Sequence, residues 1–101
     1  MDLTPIRQAV TAARIEWQKH AMERMLKRGI SRDDVKQAIL HGEVIETYPS
    51  DYPFPSCLIC YQGVKPLHVV LAYNDLIQTA YIITAYIPDL THFENDFKTR
   101  R

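Results

Sequence analysis

The sequence predicts an α+β fold in which N-terminal helices pack on one face of a four-stranded, mainly antiparallel sheet. Two observations lead to this prediction. Apolar residues recur at helical spacing between residues 5 and 40, whereas from residue 43 onward they alternate along short segments, as in strands. Helices gathered at one end of a chain and strands at the other are typical of folds with helices on one sheet face. Short connections between the strands favour antiparallel neighbours.

Local start and stop signals define three helices. Thr4 and Pro5 start the first, expected over residues 5–14, because Thr can cap a helix and Pro is favoured at its first position. Residues 15–17 are expected to form a short link, which can be extended. The second helix covers residues 19–28 and ends at Gly29. The third begins with Ser31 as its N-cap, runs to residue 40 and ends at Gly42.

Four strands follow, separated by turn-forming segments. They are expected at residues 43–48, 57–61, 67–73 and 79–87, with a proline-rich loop at residues 48–55. We predict the order ααββββ for the core, with a short C-terminal helix at residues 92–98. The length of 101 residues fits a single domain.

The charge balance excludes one class of protein. Twelve basic and twelve acidic side chains give a formal net charge of zero, so the chain is not a globally basic nucleic-acid binder. Only four of the basic residues lie in residues 51–101, so any anion site must be a local patch built mainly from the first half. No apolar run approaches the roughly 20 residues that span a bilayer, and the N-terminus lacks a signal-peptide pattern. We therefore expect a cytoplasmic protein without a membrane segment.

Cys57 and Cys60 form a Cys-x-x-Cys pair within a predicted strand. Residues three apart on a strand point to opposite faces, whereas redox and zinc pairs need a turn or a helix start. No second cysteine pair is present. We therefore expect two buried thiols, no metal site and no cofactor.

The second predicted helix carries a cationic stripe on one face. His20, Arg24, Lys27 and Arg28 fall together there, at spacings of four, three and one. The opposite face is apolar and can be buried; it contains Ala21, Met22, Met25 and Leu26. A helix needs the apolar face to pack, but it does not need the cationic one, so the stripe is a candidate anion-binding surface.

Several motifs occur in an order that resembles a known family. They are His20-Ala-x-x-Arg24-Met-x-x-Arg28-Gly-Ile-Ser31, Gly42-Glu43-Val44-Ile45-Glu46, Pro55-Ser56-Cys57-Leu58, Pro66-Leu67-His68-Val69-Val70 and Ile83-Thr84-Ala85-Tyr86. This set resembles the bacterial family forty-two fifty-eight among the domains of unknown function, over residues 17–97, and leaves residues 1–15 as an extra N-terminal helix. The family is similar in layout to RelE-like and BrnT-like toxins of toxin–antitoxin modules, which are metal-independent endoribonucleases.

The resemblance implies a toxin that cleaves RNA without a metal ion. It also implies an antitoxin partner, often a zinc-ribbon and helix-turn-helix protein encoded beside the toxin. The implied catalytic residues are His20, His68 and Tyr86. The residues implied to bind RNA or its phosphate are Arg24, Arg28 and Thr84, and we add Lys27 because it lies on the same cationic stripe.

These residue types suit cleavage in which the 2′-hydroxyl of RNA attacks the adjacent phosphorus. Imidazole titrates near neutral pH and can serve as base or acid, a role open to either His20 or His68. Arg presents a planar, permanently charged fork to phosphate, and Tyr can donate a proton or stack on a base. The hypothesis requires His20 and Arg24 to face one open pocket together with His68 or Tyr86.

Structural interpretations stay open beside the catalytic ones. His68 can be a satisfied buried histidine and Tyr86 a core aromatic, while the helix stripe can be an ordinary solvated face. The competing hypothesis for the whole protein is a non-catalytic protein-binding module of the same fold. It requires an exposed apolar patch in the proline-rich loop, around Tyr48, Tyr52 and Phe54. The sequence leaves the oligomeric state open.

Overall fold

A computed structural model describes all 101 residues and contains three helices and five strands. In chain order they are α1 (Thr4–Thr11), β1 (Ile15–Trp17), α2 (Lys19–Arg28), α3 (Arg32–His41), β2 (Glu43–Tyr48), β3 (Ser56–Gln62), β4 (Pro66–Asn74) and β5 (Thr79–Tyr86). The α+β class and the bounds predicted for the second helix are confirmed. No helix combines the length and the apolar character needed to cross a membrane.

The sheet has five strands rather than the predicted four, in the order β1-β5-β4-β3-β2. Residues 15–17, predicted as a link, form β1, which runs parallel to β5 with Ile15 opposite Ala80. All other neighbouring strands are antiparallel, so the sheet is mixed. The sequence prediction allowed an extended link here but did not place it in the sheet, because three residues cannot show an alternating pattern and the partner strand lies near the other end of the chain.

Local signals set the ends of α2 and α3. Gly29 ends α2 with a φ of 68°, a left-handed conformation that glycine adopts without a Cβ penalty. Ser31 Oγ accepts the N–H of Asp34 at 3.0 Å, while Asp34 Oδ2 accepts the N–H of Ser31 at 2.8 Å, which is a capping box. Helix α1 ends at Thr11, earlier than predicted, and Ala13 has a φ of 61° where the chain turns towards β1.

The three helices cover one face of the sheet and bury the main hydrophobic core there. The helices contribute the buried side chains Ile6, Val10, Ala21, Met25, Val35, Ala38 and Ile39, and Leu3 joins them from the position before α1. The strands contribute Cys57, Ile59, Leu67, Val69, Leu71, Ala80, Ile82 and Ala85. Leu26 was expected to be buried but is 83% exposed. The reason is that α2 packs on β5 along a narrow stripe, formed by Ala21 and Met25.

The opposite face of the sheet is covered in part by residues 88–101, which we call the C-terminal strap. Phe93 of the strap is buried against this face. Lys98 pairs with Glu43 of β2. Gln62 of β3 donates from Nε2 to the backbone carbonyl of Asp96 at 2.6 Å. The sheet is therefore sandwiched between the helices and an irregular segment.

The strap contains no helix at residues 92–98, so the predicted C-terminal helix is wrong. The carboxylate of Asp89 accepts the backbone N–H groups two and three residues ahead, and that of Asp96 does the same. Aspartate side chains that bind nearby backbone N–H groups stabilise turns in competition with helix. Two such turns explain the irregular path.

Candidate active site

His68 and Tyr86 lie side by side beneath the C-terminal strap. They occupy directly opposite positions on β4 and β5, so their side chains share one face of the sheet. His68 is fully buried, and its Nδ1 lies 3.2 Å from the hydroxyl oxygen of Tyr86. The two rings meet edge to face, with centroids 5.2 Å apart. These two candidates therefore converge, as the catalytic hypothesis requires of them.

The strap determines which nitrogen of His68 carries the hydrogen. Nε2 lies 2.6 Å from the backbone carbonyl oxygen of Phe97, and a carbonyl oxygen can only accept, so Nε2 donates. In the neutral imidazole Nδ1 is then an acceptor, and it receives the Tyr86 hydroxyl hydrogen. Tyr86 therefore directs its hydrogen at His68 and keeps lone pairs on its oxygen for another donor.

Burial keeps this pair neutral near neutral pH. Burial lowers the pKa of His68 below its usual value of 6.5, and this effect outweighs the hydrogen bond to Phe97. Burial also raises the pKa of Tyr86 above its usual value of 10.0. His68 is therefore an unprotonated base next to a protonated phenol.

A β-bulge in β5 determines which side chains share the face of His68 and Tyr86. The register between β4 and β5 shifts after Val70, which lies opposite Thr84. The next pair joins Leu71 to Ile82, and both pack in the core beneath the helices. Unbroken alternation would have placed Ile82 on the same face as Thr84. The bulge instead places Ile82 in the core while Thr84 and Tyr86 lie on the opposite face of the sheet.

Tyr86 borders a cleft of about 610 Å³ between the end of α2 and the C-terminal strap. The cleft is lined by Arg28, Tyr86, Ile87, Pro88, Asp89, His92, Phe93 and Arg100. Arg28 and Tyr86 are thus the sequence-predicted site residues that line it, and His68 lies behind Tyr86. The cleft is open to solvent and combines cationic, acidic and aromatic groups.

Two guanidinium groups border the cleft. Arg28 donates from Nη1 to the backbone carbonyl of Ala85 at 2.9 Å, which leaves most of its N–H groups for a ligand. Arg100 forms a forked pair with Glu46, at 2.6 and 3.0 Å, and its guanidinium carbon lies 5.0 Å from the centroid of Phe93. The bond to Arg100 holds the pKa of the Glu46 carboxyl below its usual value. Both arginines are therefore anchored in place.

Sequence reasoning missed His92 and Arg100. His92 Nδ1 lies 2.9 Å from Oδ1 of Asp89, three residues earlier, and the side chain is 70% exposed. The hydrogen bonds from His92 lower the pKa of the Asp89 carboxyl, so the carboxylate is ionised opposite the ring. The signal available in the sequence was the Asp-x-x-His spacing, which is weak by itself. Its meaning depends on the strap folding back onto the sheet.

Three of the other predicted residues lie on α2 outside the cleft. His20 is 85% exposed at the start of the helix, 3.8 Å from Glu23. Eight residues separate it from Arg28, which corresponds to roughly 12 Å along a helix axis. Arg24 and Lys27 are exposed and do not line the cleft. The required pocket shared by His20 and Arg24 with His68 or Tyr86 is therefore not present in this structure.

The proline-rich loop does not form one exposed apolar patch. The Tyr48 hydroxyl donates to Glu46, and the ring of Phe54 stacks on Tyr81 with centroids 5.6 Å apart. Tyr52 alone among the three aromatic residues projects freely, at 95% exposed. The interface proposed for a binding module is thus reduced to one side chain.

The two cysteines are buried free thiols on opposite faces of the sheet, as predicted. Cys57 packs in the core under the helices, and burial raises the pKa of its thiol to about 11. Burial also raises the pKa of Cys60, which lies opposite His68 on β4. No group of three His, Cys, Asp or Glu side chains lies close enough together to hold a metal ion.

The fold and the cleft define a small α+β domain with a mixed sheet, helices on one face and a polar site between α2 and the strap. The chain belongs to the family described as Domain of unknown function (DUF4258), whose model matches residues 17–87. The matched range contains Arg28, His68 and Tyr86 but not α1 or the C-terminal strap. No similar protein was found among curated proteins, and no similar structure among solved ones.

Proposed function

We propose that this protein is a metal-independent endoribonuclease that acts as the toxin of a toxin–antitoxin module. The observation that carries the proposal is the buried His68, which accepts the hydroxyl hydrogen of Tyr86 at the wall of a cleft bordered by two arginines. A poised base, a hydroxyl that can relay a proton and fixed cations are the groups that RNA cleavage without a metal requires.

In the proposed reaction Tyr86 and His68 together act as the base. The 2′-hydroxyl of the substrate gives its proton to the Tyr86 oxygen while the Tyr86 proton passes to Nδ1 of His68, across the 3.2 Å contact. The 2′-oxygen bonds to phosphorus, and the bond from phosphorus to the 5′-oxygen breaks. The products are a 2′,3′-cyclic phosphate and a 5′-hydroxyl end. The Phe97 carbonyl accepts from Nε2 of His68 throughout and stabilises the imidazolium that forms.

The arginines hold the phosphate during the reaction. Negative charge increases on the non-bridging oxygens as the 2′-oxygen attacks, and guanidinium groups bind such oxygens as a fork. Arg28 is anchored to β5 and Arg100 to β2, so neither must be ordered when RNA binds. Preorganised donors of this kind stabilise the transition state more than the ground state.

The remaining predicted residues take outer roles in the proposal. Arg24 and Lys27 extend the cationic surface of α2 away from the cleft and bind phosphates flanking the cleaved bond. Thr84 shares the face of Tyr86 and contacts the RNA backbone. His20 takes no part in the chemical step, because it lies at the far end of α2.

An antitoxin would inhibit the nuclease by covering the cleft. The likeness in layout to RelE-like and BrnT-like toxins, inferred from the sequence, supports this role, as do the small size and the open site. The partner would be a protein encoded beside this one, of the zinc-ribbon and helix-turn-helix type, and both proteins would act in the cytoplasm, where the RNA is. An acidic surface on the antitoxin would complement Arg28 and Arg100.

The test is cleavage of a fluorescent RNA in the presence of EDTA by wild type, Arg28→Met and Lys19→Met. Lys19 is a matched control because it is an exposed cation on the same helix, outside the cleft. We expect Arg28→Met to reduce the cleavage rate by about 10²-fold, the usual loss when one transition-state donor is removed. Circular dichroism checks the fold of each variant, and mass spectrometry should detect the cyclic phosphate.

Absence of cleavage of free and ribosome-bound RNA, with normal growth on expression, would refute the nuclease proposal. The alternative for this fold is then a non-catalytic protein-binding module. Evidence for such a module would be a protein partner that binds wild type and Tyr86→Phe with equal affinity.

A further inference from the structure

We infer that His92, oriented by Asp89, is the general acid that protonates the leaving 5′-oxygen. This inference rests on the proposed nuclease function and assigns the one proton transfer that the His68–Tyr86 pair does not supply. His92 lies in the C-terminal strap, beyond the residues that the family model matches. The catalytic cleft would therefore be completed by a segment outside the family core.

Asp89 holds the ring of His92 in one orientation. Its Oδ1 accepts from the backbone N–H groups of Thr91 and His92, each at 3.0 Å, and contacts Nδ1 of His92 at 2.9 Å. The carboxylate can only accept, so Nδ1 carries a hydrogen. Nε2 makes no hydrogen bond to the protein and is the nitrogen that can exchange a proton with a ligand.

The backbone around His92 is also pinned. The N–H of Arg101 donates to the carbonyl of His92 at 3.0 Å, and Phe93, the next residue, packs edge to face on His68 with centroids 4.6 Å apart. His92 therefore sits on a part of the strap that touches the proposed base. The strap therefore contacts both His68 and His92. Its residue Phe93 also shields His68 from solvent.

The other titratable groups of the cleft cannot donate this proton. Arg28 and Arg100 keep theirs, since guanidinium groups do not deprotonate in proteins. Asp89 is ionised, because its hydrogen bonds to His92 lower the pKa of its carboxyl. Tyr86 directs its hydrogen at His68. His92 is the remaining group in the cleft whose side chain can give a proton to the leaving oxygen.

The step balances with the proposed base. The protonated ring of His92 gives its Nε2 hydrogen to the 5′-oxygen as the bond from phosphorus to that oxygen breaks. His92 is left neutral and His68 protonated on both nitrogens. His68 returns its extra proton through the Tyr86 hydroxyl to water in the cleft, and His92 takes a proton from that water, so no other reactant is needed.

The test compares two RNA substrates that differ at the cleaved bond. One has the ordinary 5′-oxygen, and the other has sulfur in its place, which leaves as a thiolate and needs no proton. On the ordinary substrate we expect His92→Ala to lose about 10²- to 10⁴-fold in rate, the usual contribution of a general acid. On the sulfur substrate the same variant should cleave at nearly the wild-type rate.

Three further variants separate the possible causes of a loss. Asp89→Asn should lose less than His92→Ala on the ordinary substrate and recover on the sulfur substrate, because it disturbs only the orientation of His92. Tyr86→Phe should be slow on both substrates, because the base is still required. His41→Ala, which removes another exposed histidine outside the cleft, should match wild type on both.

The outcomes distinguish this inference from the proposed function. If wild type cleaves and His92→Ala is equally fast on ordinary RNA, or equally slow on both substrates, the general-acid role is refuted and the nuclease stands. If wild type cleaves neither substrate, both the nuclease and the role of His92 are refuted.

Discussion

Tyr86→Phe removes one oxygen and leaves the rest of the site in place. The hydroxyl donates to Nδ1 of His68 at 3.2 Å. The aromatic ring, which is the same in Tyr and Phe, makes the edge-to-face contact with His68, with centroids 5.2 Å apart. His68 is fully buried, so its Nδ1 would lose its partner without gaining water. A buried acceptor left unsatisfied costs about 1–3 kcal/mol. We therefore expect the free energy of unfolding to fall by about 1–3 kcal/mol.

The same variant should also lose cleavage. Without the phenol oxygen the 2′-hydroxyl proton has no path to His68, and loss of general base catalysis lowers rates by about 10²- to 10⁴-fold. Stability is measured by urea unfolding, followed by the fluorescence of Trp17, the single tryptophan. Cleavage is measured on fluorescent RNA in the presence of EDTA. The assay contains no urea, so that the variant is folded.

Tyr81→Phe is the matched control, because it makes the same change on the same strand, at a ring stacked on Phe54 and outside the cleft. It should leave the cleavage rate unchanged. Wild-type cleavage by folded Tyr86→Phe would refute the proton relay. Unchanged stability would refute the hydrogen bond that we assign to the His68 tautomer.

Three other predictions concern pH, packing and charge. The unfolded state takes up a proton on His68 at its usual pKa of 6.5, whereas the folded state resists it, so stability should fall as pH drops below about 6.5. His68 contributes at most about 1.4 kcal/mol per pH unit to this change in the free energy of unfolding. Measured by urea unfolding, the free energy of unfolding of His68→Gln should therefore depend less on pH than that of wild type. Gly42→Ala would place a Cβ 2.4 Å from the backbone oxygen of Ala38. This clash should lower the free energy of unfolding by about 1–3 kcal/mol or more. An unchanged Tm would contradict this packing. Arg24→Ala and Lys27→Ala should each weaken RNA binding. Each should also reduce the slope of log binding constant against log salt concentration by about 0.7, because one phosphate contact is lost. A changed kcat would contradict this outer role and would mean that the residue acts in the cleft.

Several elements were predictable because their signals are local. Gly29 ends α2 and Ser31 caps α3 through contacts within a few residues, which any chain with these neighbours can form. Short apolar or alternating segments between turn-forming residues identified β2 to β5 for the same reason. Strand β1 was not predictable, because its three residues become a strand only when β5 lies beside them.

The residues of the candidate site were likewise only partly predictable from the sequence. The sequence motifs indicated His68, Tyr86 and Arg28, which do come together around one cleft. The same motifs also indicated His20 and Arg24, which share the helix stripe with Arg28 but not the cleft. A helical face runs the length of α2, and only the packing of α2 on β5 determines which end of it meets the strap.

The sequence by itself determined the α+β class, the family, the ends of α2 and α3, and a short set of polar residues from which the proposed site is drawn. Only the tertiary structure decided which of those residues meet. Arg100 reaches Glu46 and Phe97 reaches His68 across long stretches of chain, and both contacts depend on the strap lying over the sheet. Local propensity carries no information about such pairs, because their geometry arises when distant segments pack together.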